Sequence, residues 1–464
     1  MYWSRTIFAS CVLERTQSGT LYEMGRIELV EKIVIVPEKP TPRKRMFLSN
    51  IDLSLVVYQD SVSFFDPPRS QMSFNEICGK LYTALSKMLV HYDFMAGQLV
   101  PSLEENHRFE IDCNGAGIVV VAAKTDRKLS EFGVISAPNP ELRELVVFLY
   151  EEGEQETDLK EKPLASLQLT QFGCGSLALA SHYNHCILDG IAVREFEVNL
   201  AALTRGDDLI IVPNADRKRL RARNPPKIIH PHFEYSKSTD KQNLFTTRGT
   251  SGINVGQSMA ENQIYVLYLS PQKIASFKKK TLKDNNNLKN TTTFQVVAAK
   301  IWKARSIATK MAEDKVSTML FPVDVRKRVV PELPDGFAGN ALVPGFARAT
   351  VRELKELEDV WHIRKVQEGV ERLDDEYIKS GIDWLEVHRG APCRDDSFSL
   401  VAWWRLGLEE QLFGWGTLKC ATPLVVKPGL VMLLPGPKDQ GGLNVCLDLP
   451  EDQMQEFCRI MLEI

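Results

Sequence analysis

An apolar run, Ser176-Leu177-Ala178-Leu179-Ala180, leads into Asn184-His185-Cys186-Ile187-Leu188-Asp189-Gly190, after which Val193, Phe196, Leu200 and Leu203 mark one face of a helix. A strand that turns directly into an amphipathic helix restricts the chain to folds in which sheets and helices share a core. The pattern recurs. Ser73-Phe74-Asn75-Glu76 has the form of a capping box, and Ile77, Leu81, Leu85 and Met88 follow at helical spacing, predicting a helix that ends near His91. Gly117-Ile118-Val119-Val120-Val121 reads as a strand, Phe294 to Ala308 as a helix, and one further helix is expected around Val360 to Tyr377. The fold class is therefore α/β or α+β, and periodicity alone does not choose between them.

At 464 residues the chain exceeds one ordinary core. Its best linker is the stretch from Asp216 to about Gly256, where Pro225-Pro226 and scattered charges dissolve the pattern. This divides the chain into residues 1–215, 216–256 and 257–464. A net charge of −3 gives no reason to expect nucleic acid or an anionic membrane as partner. The basic run Arg217-Lys218-Arg219, with Arg221 and Arg223, reads as a solvated loop. Nine cysteines without a Cys-x-x-Cys pair fit reduced thiols in a cytoplasmic protein, not a disulfide framework or a zinc ribbon. Asn290-Thr291-Thr292 is treated as an inert sequon. No apolar run approaches the ~18 residues that span a bilayer. The stretch Ile7 to Leu13 is at the bottom of the length range for a signal peptide and is followed by Glu14-Arg15 where a small-residue cleavage site should be, so it reads as a cytosolic extension, with a transit segment as the alternative.

The chemistry-bearing candidate is His185, at the end of a rigid strand, with Asp189 four residues on. An imidazole titrating near 6.5 is a suitable base at neutral pH, and the carboxylate can orient its neighbours. The spacing is weak by itself: among eight histidines it arises by chance about once in every two such chains. A metal set of His182, His185 and Asp189 is disfavoured, because residues three apart on a strand face opposite ways. A serine hydrolase lacks its Gly-x-Ser-x-Gly elbow. No metal is expected.

With these residues the chain resembles the plant BAHD acyltransferases, which move acyl groups from coenzyme A thioesters to alcohols or amines. His185 to Gly190 is similar to the family's HxxxDG motif, and Leu412-Phe413-Gly414-Trp415-Gly416 to its DFGWG motif except at the first position. Val323-Asp324-Val325-Arg326 and Pro334-Asp335-Gly336-Phe337-Ala338-Gly339-Asn340 resemble two further family stretches. Within the family, Phe47 to Asp52, Leu89 to Tyr92, Ala222 to Ile228 and Ser380 to Val387 are similar to ω-hydroxy fatty acid or fatty alcohol hydroxycinnamoyltransferases. The resemblance implies two chloramphenicol-acetyltransferase-like domains with an active-site channel between them. It implies His185 as general base and Trp403 as donor to the oxyanion. Asp189 would be structural, in an ion pair with an arginine, alongside Gly190, Phe413, Gly414, Trp415 and Gly416. Acyl-CoA would be a co-substrate and an alcohol the acceptor, with no permanently bound cofactor, in a cytoplasmic monomer. Thr293 and Lys300 are candidates for the coenzyme phosphates.

Leu412 replaces the family's aspartate, which would orphan a cationic partner if that partner is buried; Arg326 or Arg328 is the expected partner. Val401 replaces a frequent threonine and suits an apolar acceptor. Trp404, Phe413 and Trp415 are expected to pack rather than touch substrate. Two other functions fit the same motifs: a partner protein in very-long-chain fatty acid elongation that does not use the histidine, and hydroxycinnamoyl transfer to a shikimate-type acceptor.

Overall fold

The structure, a computed structural model, describes residues 14–15, 27–68, 72–106, 108–149, 162–237, 264–284, 291–393, 396–408 and 411–463. The stretch Ile7 to Leu13, Asn290 of the sequon and the linker beyond residue 237 lie outside the described residues.

Two seven-stranded mixed sheets organise the molecule. The first runs, edge to edge, Leu412–Phe413, Gly416–Pro423, Tyr58–Phe65, Leu177–Asn184, Ala165–Phe172, Ile118–Thr125 and Glu28–Ile35. The second runs Glu14–Arg15, Ile264–Leu269, Leu443–Asp448, Leu430–Pro435, Ser397–Ala402, Val316–Asp324 and Leu342–Thr350. This is the expected mixed α/β architecture. A boundary at residue 257 places Leu412 to Pro423 in the second domain. By pairing these residues belong to the first sheet, with Leu418 opposite Phe65 and Thr422 opposite Val62. The chain leaves the second sheet after Ala402, adds two strands to the first, and returns at Leu430.

Strand alternation explains how the first sheet is covered on both faces. Leu177 and Leu179 enter one core with Leu81, Leu85, Phe196 and Leu200 of the helices Phe74–His91 and Gly190–Arg205. Ala178 and Ala180 face the other way, into a core with Leu142 and Leu145. The Ser73 capping box is formed, with the Glu76 carboxylate 2.7 Å from the Ser73 N–H, and the helix ends at His91. Helices Pro271–Asp284, Thr293–Ala308, Asp359–Glu371 and Glu451–Leu462 cover the second sheet, with Trp302 wholly buried among them.

Instead of one helix around Val360 to Tyr377 there are two, Asp359–Glu371 and Asp375–His388. The break falls where the Asp374 side chain accepts the Tyr377 N–H at 2.8 Å and starts a new helix. The basic run is not wholly solvated either. Arg217 and Leu220 are buried, and Arg223 bonds Asp383 at 2.6 Å, whereas Lys218, Arg219 and Arg221 are exposed. No helix among the described residues is long and apolar enough to cross a membrane.

Candidate active site

His185 leaves the end of its strand in a tight turn. Its N–H donates to the Val57 carbonyl at 2.7 Å, and the Asn184 side chain accepts the Cys186 N–H at 3.1 Å. Cys186, Ile187 and Leu188 are buried and anchor the turn, leaving the half-buried His185 ring at its edge. The bend into the helix is made by Asp189, which is extended at φ −88° and caps the helix by accepting the Ala192 N–H at 2.9 Å. Gly190 is the first residue of that helix. A Cβ added there would meet Leu406 Cδ1 at 3.4 Å, an ordinary van der Waals contact.

The His185 ring is oriented by a residue from the other half of the chain. Nδ1 lies 3.1 Å from Asn340 Oδ1. The way this amide points is settled by its other end, because Asn340 Nδ2 donates to the Asp52 carboxylate at 2.8 Å and to the His185 carbonyl at 2.9 Å. Both are acceptors, so nitrogen faces them and oxygen faces the ring. An oxygen there requires a proton on Nδ1, which leaves the Nε2 lone pair free. Burial is the largest influence on the ring and lowers its pKa below the ordinary 6.5, against weaker opposing effects of its own backbone, Asp189, Asn340 and Asp52. The imidazole is thus neutral at neutral pH and can accept a proton at Nε2.

Asp189 points away from the ring into an ion pair with Arg326, the residue that the sequence paired with position 412. Arg328 donates to the Val370 and Leu373 carbonyls instead. At position 412 the side chain is 50% exposed, and the nearby cation is Arg205, which donates to the Leu412 carbonyl and pairs with Asp207 at 2.6 Å. No buried charge is orphaned there. Phe413 and Trp415 pack on Phe65 with ring centroids 5.0 and 5.7 Å away. Gly414 lies so close to the end of the histidine helix that a Cβ would sit 2.2 Å from the Thr204 carbonyl oxygen.

Trp403 follows the strand Ser397–Ala402, half-buried beside Val401, in a turn whose Leu406 and Gly407 lie against Gly190 and Arg194. Trp404 turns the other way and packs on the helical core of the second sheet. Thr293 opens the helix Thr293–Ala308, and Lys300 on the same helix stands 3.7 Å from Asp359. Neither is among the groups that touch His185. His182 pairs with Asp60 at 2.6 Å and stacks on Tyr58. Among the described residues, no three His, Cys, Asp or Glu side chains cluster to hold a metal.

A second histidine invites comparison. His232 Nδ1 lies 2.7 Å from Glu234 and Nε2 lies 2.8 Å from Ser380 Oγ. This has the order of a nucleophilic triad, but Ser380 is 0% exposed and its oxygen already accepts the Ile229 and His230 N–H groups. It fastens the segment after the first domain to the helix Asp375–His388. A cavity of ≈ 570 Å³ beside it, lined by His230, Phe233, Phe346, Arg348 and Tyr377, contains none of the His185 network.

Sequence reasoning did not single out Asn340, Asp52 or Arg217. Asn340 and Asp52 stood inside quoted stretches, and Ser49 and Asp52 have capping-box spacing, which is how they are used: the Asp52 carboxylate accepts the Ser49 N–H at 2.8 Å. Arg217 gave no signal of its own.

Comparison with known proteins shows the family and the fold. A family model described as the transferase family matches residues 25–462. Acyltransferase GLAUCE of Arabidopsis thaliana is 33% identical over 94% of this chain and 96% of its own length. Omega-hydroxypalmitate O-feruloyl transferase of the same plant is 31% identical over 94% and 92%. The crystal structure of vinorine synthase, 21% identical, superposes with a TM-score of 0.71 over 93% of this chain and 96% of that one, and speaks for the fold. With its histidine turn, its FGWG strand and a full-length match, this chain belongs to the transferase family, the BAHD acyltransferases.

Proposed function

We propose that the protein transfers a hydroxycinnamoyl group, of the feruloyl type, from coenzyme A to the hydroxyl of an ω-hydroxy fatty acid or fatty alcohol. The carrying observation is the Asn340 amide oxygen 3.1 Å from His185 Nδ1, which calls for the ring proton on Nδ1 and leaves Nε2 to act as base. Nε2 takes the acceptor's hydroxyl proton as its oxygen bonds to the thioester carbonyl carbon. The Trp403 indole N–H, in the turn against the start of the histidine helix, is assigned to the developing oxyanion. As the tetrahedral centre collapses the C–S bond breaks, and the imidazolium returns its proton to the departing thiolate. Asp189 and the FGWG segment hold the helix and stay out of the chemistry. Thr293 and Lys300 remain the residues proposed for the coenzyme phosphates.

The long-chain acceptor is supported by the name of the feruloyl transferase relative and by Val401, an apolar side chain that packs with Trp403 against one apolar cluster. Eight free cysteines among the described residues support a reducing, cytoplasmic setting. A non-catalytic role in fatty acid elongation drew its support from Leu412, and an exposed Leu412 with Arg205 already paired removes that support.

The test is purified protein with feruloyl-CoA and an ω-hydroxy fatty acid, a fatty alcohol or shikimate, with His185→Ala as control. Ester formation on the long-chain acceptors, lost in the variant, is expected. Preference for shikimate would move the acceptor assignment, and turnover that survives in the variant would overturn the base assignment.

A further inference from the structure

The direction in which the Asn340 amide points has a cause outside the histidine motif. Asp52 is 0% exposed and faces donors on both oxygens. Oδ2 accepts the Ser49 N–H at 2.8 Å and the Ser49 hydroxyl at 2.7 Å, and stands 3.3 Å from Arg217 Nε. Oδ1 accepts the Asn340 N–H at 3.1 Å and Nδ2 at 2.8 Å. An ionised carboxylate offers acceptors only, so Asn340 must present nitrogen to it and oxygen to His185.

Arg217 makes that arrangement stable. Its side chain is 0% exposed and comes from the segment that follows the first sheet. Besides facing Asp52 it donates to the Ala215 carbonyl at 2.9 Å and to the Ile187 carbonyl, inside the histidine turn, at 2.7 Å. The same guanidinium that stands beside Asp52 ties the pair to the turn that carries His185.

We infer that the buried Arg217–Asp52 pair is a positioning device that decides, through the Asn340 amide, which nitrogen of His185 carries the proton. It rests on the reading of His185 as the base. Neither residue touches substrate in this account.

The consequence is sharpest for Asp52→Asn, which keeps shape and removes one acceptor. Its remaining oxygen stays with Arg217, because the guanidinium can only donate. The new NH₂ group then faces Asn340, whose amide turns its oxygen toward residue 52 and its nitrogen toward His185 Nδ1, giving up the bond from Nδ2 to the His185 carbonyl. A nitrogen donor beside Nδ1 requires a lone pair there, and the ring proton moves to Nε2. The base is then blocked with the ring still in place.

The experiment combines kinetics with ¹⁵N NMR of histidine-labelled protein, the His185 signals being assigned with His185→Ala. The wild type is expected in the Nδ1–H form. Asp52→Asn is expected in the Nε2–H form, with kcat lowered ~10²-fold or more and KM for acyl-CoA within about threefold, the behaviour of a base held in the wrong tautomer. A wild-type His185 protonated on Nε2 overturns the inference, and that spectrum decides even where Asp52→Asn does not fold. So does a folded Asp52→Asn variant that keeps the Nδ1–H form, whether its kcat is unchanged or reduced. If His185→Ala abolishes turnover in either case, the base reading stands and only the positioning role falls. Turnover that survives His185→Ala removes the base reading itself, whatever the tautomer.

Discussion

Arg326 grips Asp189 with both arms of its guanidinium, Nη1 3.0 Å from Oδ2 and Nη2 3.0 Å from Oδ1, across 137 residues of chain. The same carboxylate accepts the Ala192 N–H, which starts the histidine helix, and the Ala341 N–H at 2.8 Å. Ala341 is the neighbour of Asn340. One buried side chain therefore fixes the helix after His185 and the backbone that delivers the amide to its ring. An interaction this distant in sequence and this close to the ring makes Asp189 a joint between the two halves.

Asp189→Asn keeps the shape of that joint and leaves the buried Arg326 with only the half-exposed Asp324, 3.1 Å away, as counter-ion. Removing one partner of such a pair costs about 3–5 kcal/mol. Urea unfolding should show a loss of that size, and a variant as stable as the parent would refute the joint.

The proposed base works only when neutral. Burial lowers the folded pKa of His185 below its ordinary 6.5. The acid limb of kcat/KM should therefore lie below pH 6.5, with activity flat above it to neutrality. The sign for stability follows: between the folded pKa and 6.5 the unfolded chain binds a proton that the native ring refuses, so this group's effect is to lower stability as pH falls through that window. A midpoint above 6.5 in the rate profile would speak against the neutral ring.

Asn340→Ala removes the acceptor on Nδ1 and two donors from Asp52 and the His185 carbonyl. On the proposed role kcat should fall ~10²-fold with KM nearly unchanged. The stability loss should be about 1–3 kcal/mol, from the acceptors left unpaired. Steady-state kinetics with unchanged kcat would separate Asn340 from the chemistry.

Positions 412 and 414 should respond oppositely. Gly414→Ala forces a methyl to within 2.2 Å of the Thr204 carbonyl oxygen, a backbone atom that cannot swing aside, and should destabilise by about 1–3 kcal/mol. Leu412→Asp restores the family residue at an exposed site and should stay within about 0.5 kcal/mol of the parent. Thermal unfolding of the two variants side by side checks both.

The individual elements were legible because their causes are local. The Ser73–Glu76 box, the alternation through Leu177 to Ala180 and the face Phe196–Leu200 each depend on neighbours within a few residues. The break at Asp374 was missed because an apolar spacing continued across it, while a capping side chain decided otherwise. Arg217 was misread for a related reason: in a run of cations nothing nearby says which one will meet Asp52, 165 residues earlier in the chain, in a dry interior.

What the sequence by itself determined was several of the elements, the family and the histidine to propose as base. All of these follow from patterns of adjacent residues and from motifs that hold their order along the chain. The tertiary structure alone decided which nitrogen of that histidine is free, that Asp189 answers to Arg326, and that the FGWG strand joins the first sheet. Hydrogen-bond direction and ion pairing depend on which donors and acceptors the packed sheets bring within about 3 Å, and sequence separation carries no information about that distance.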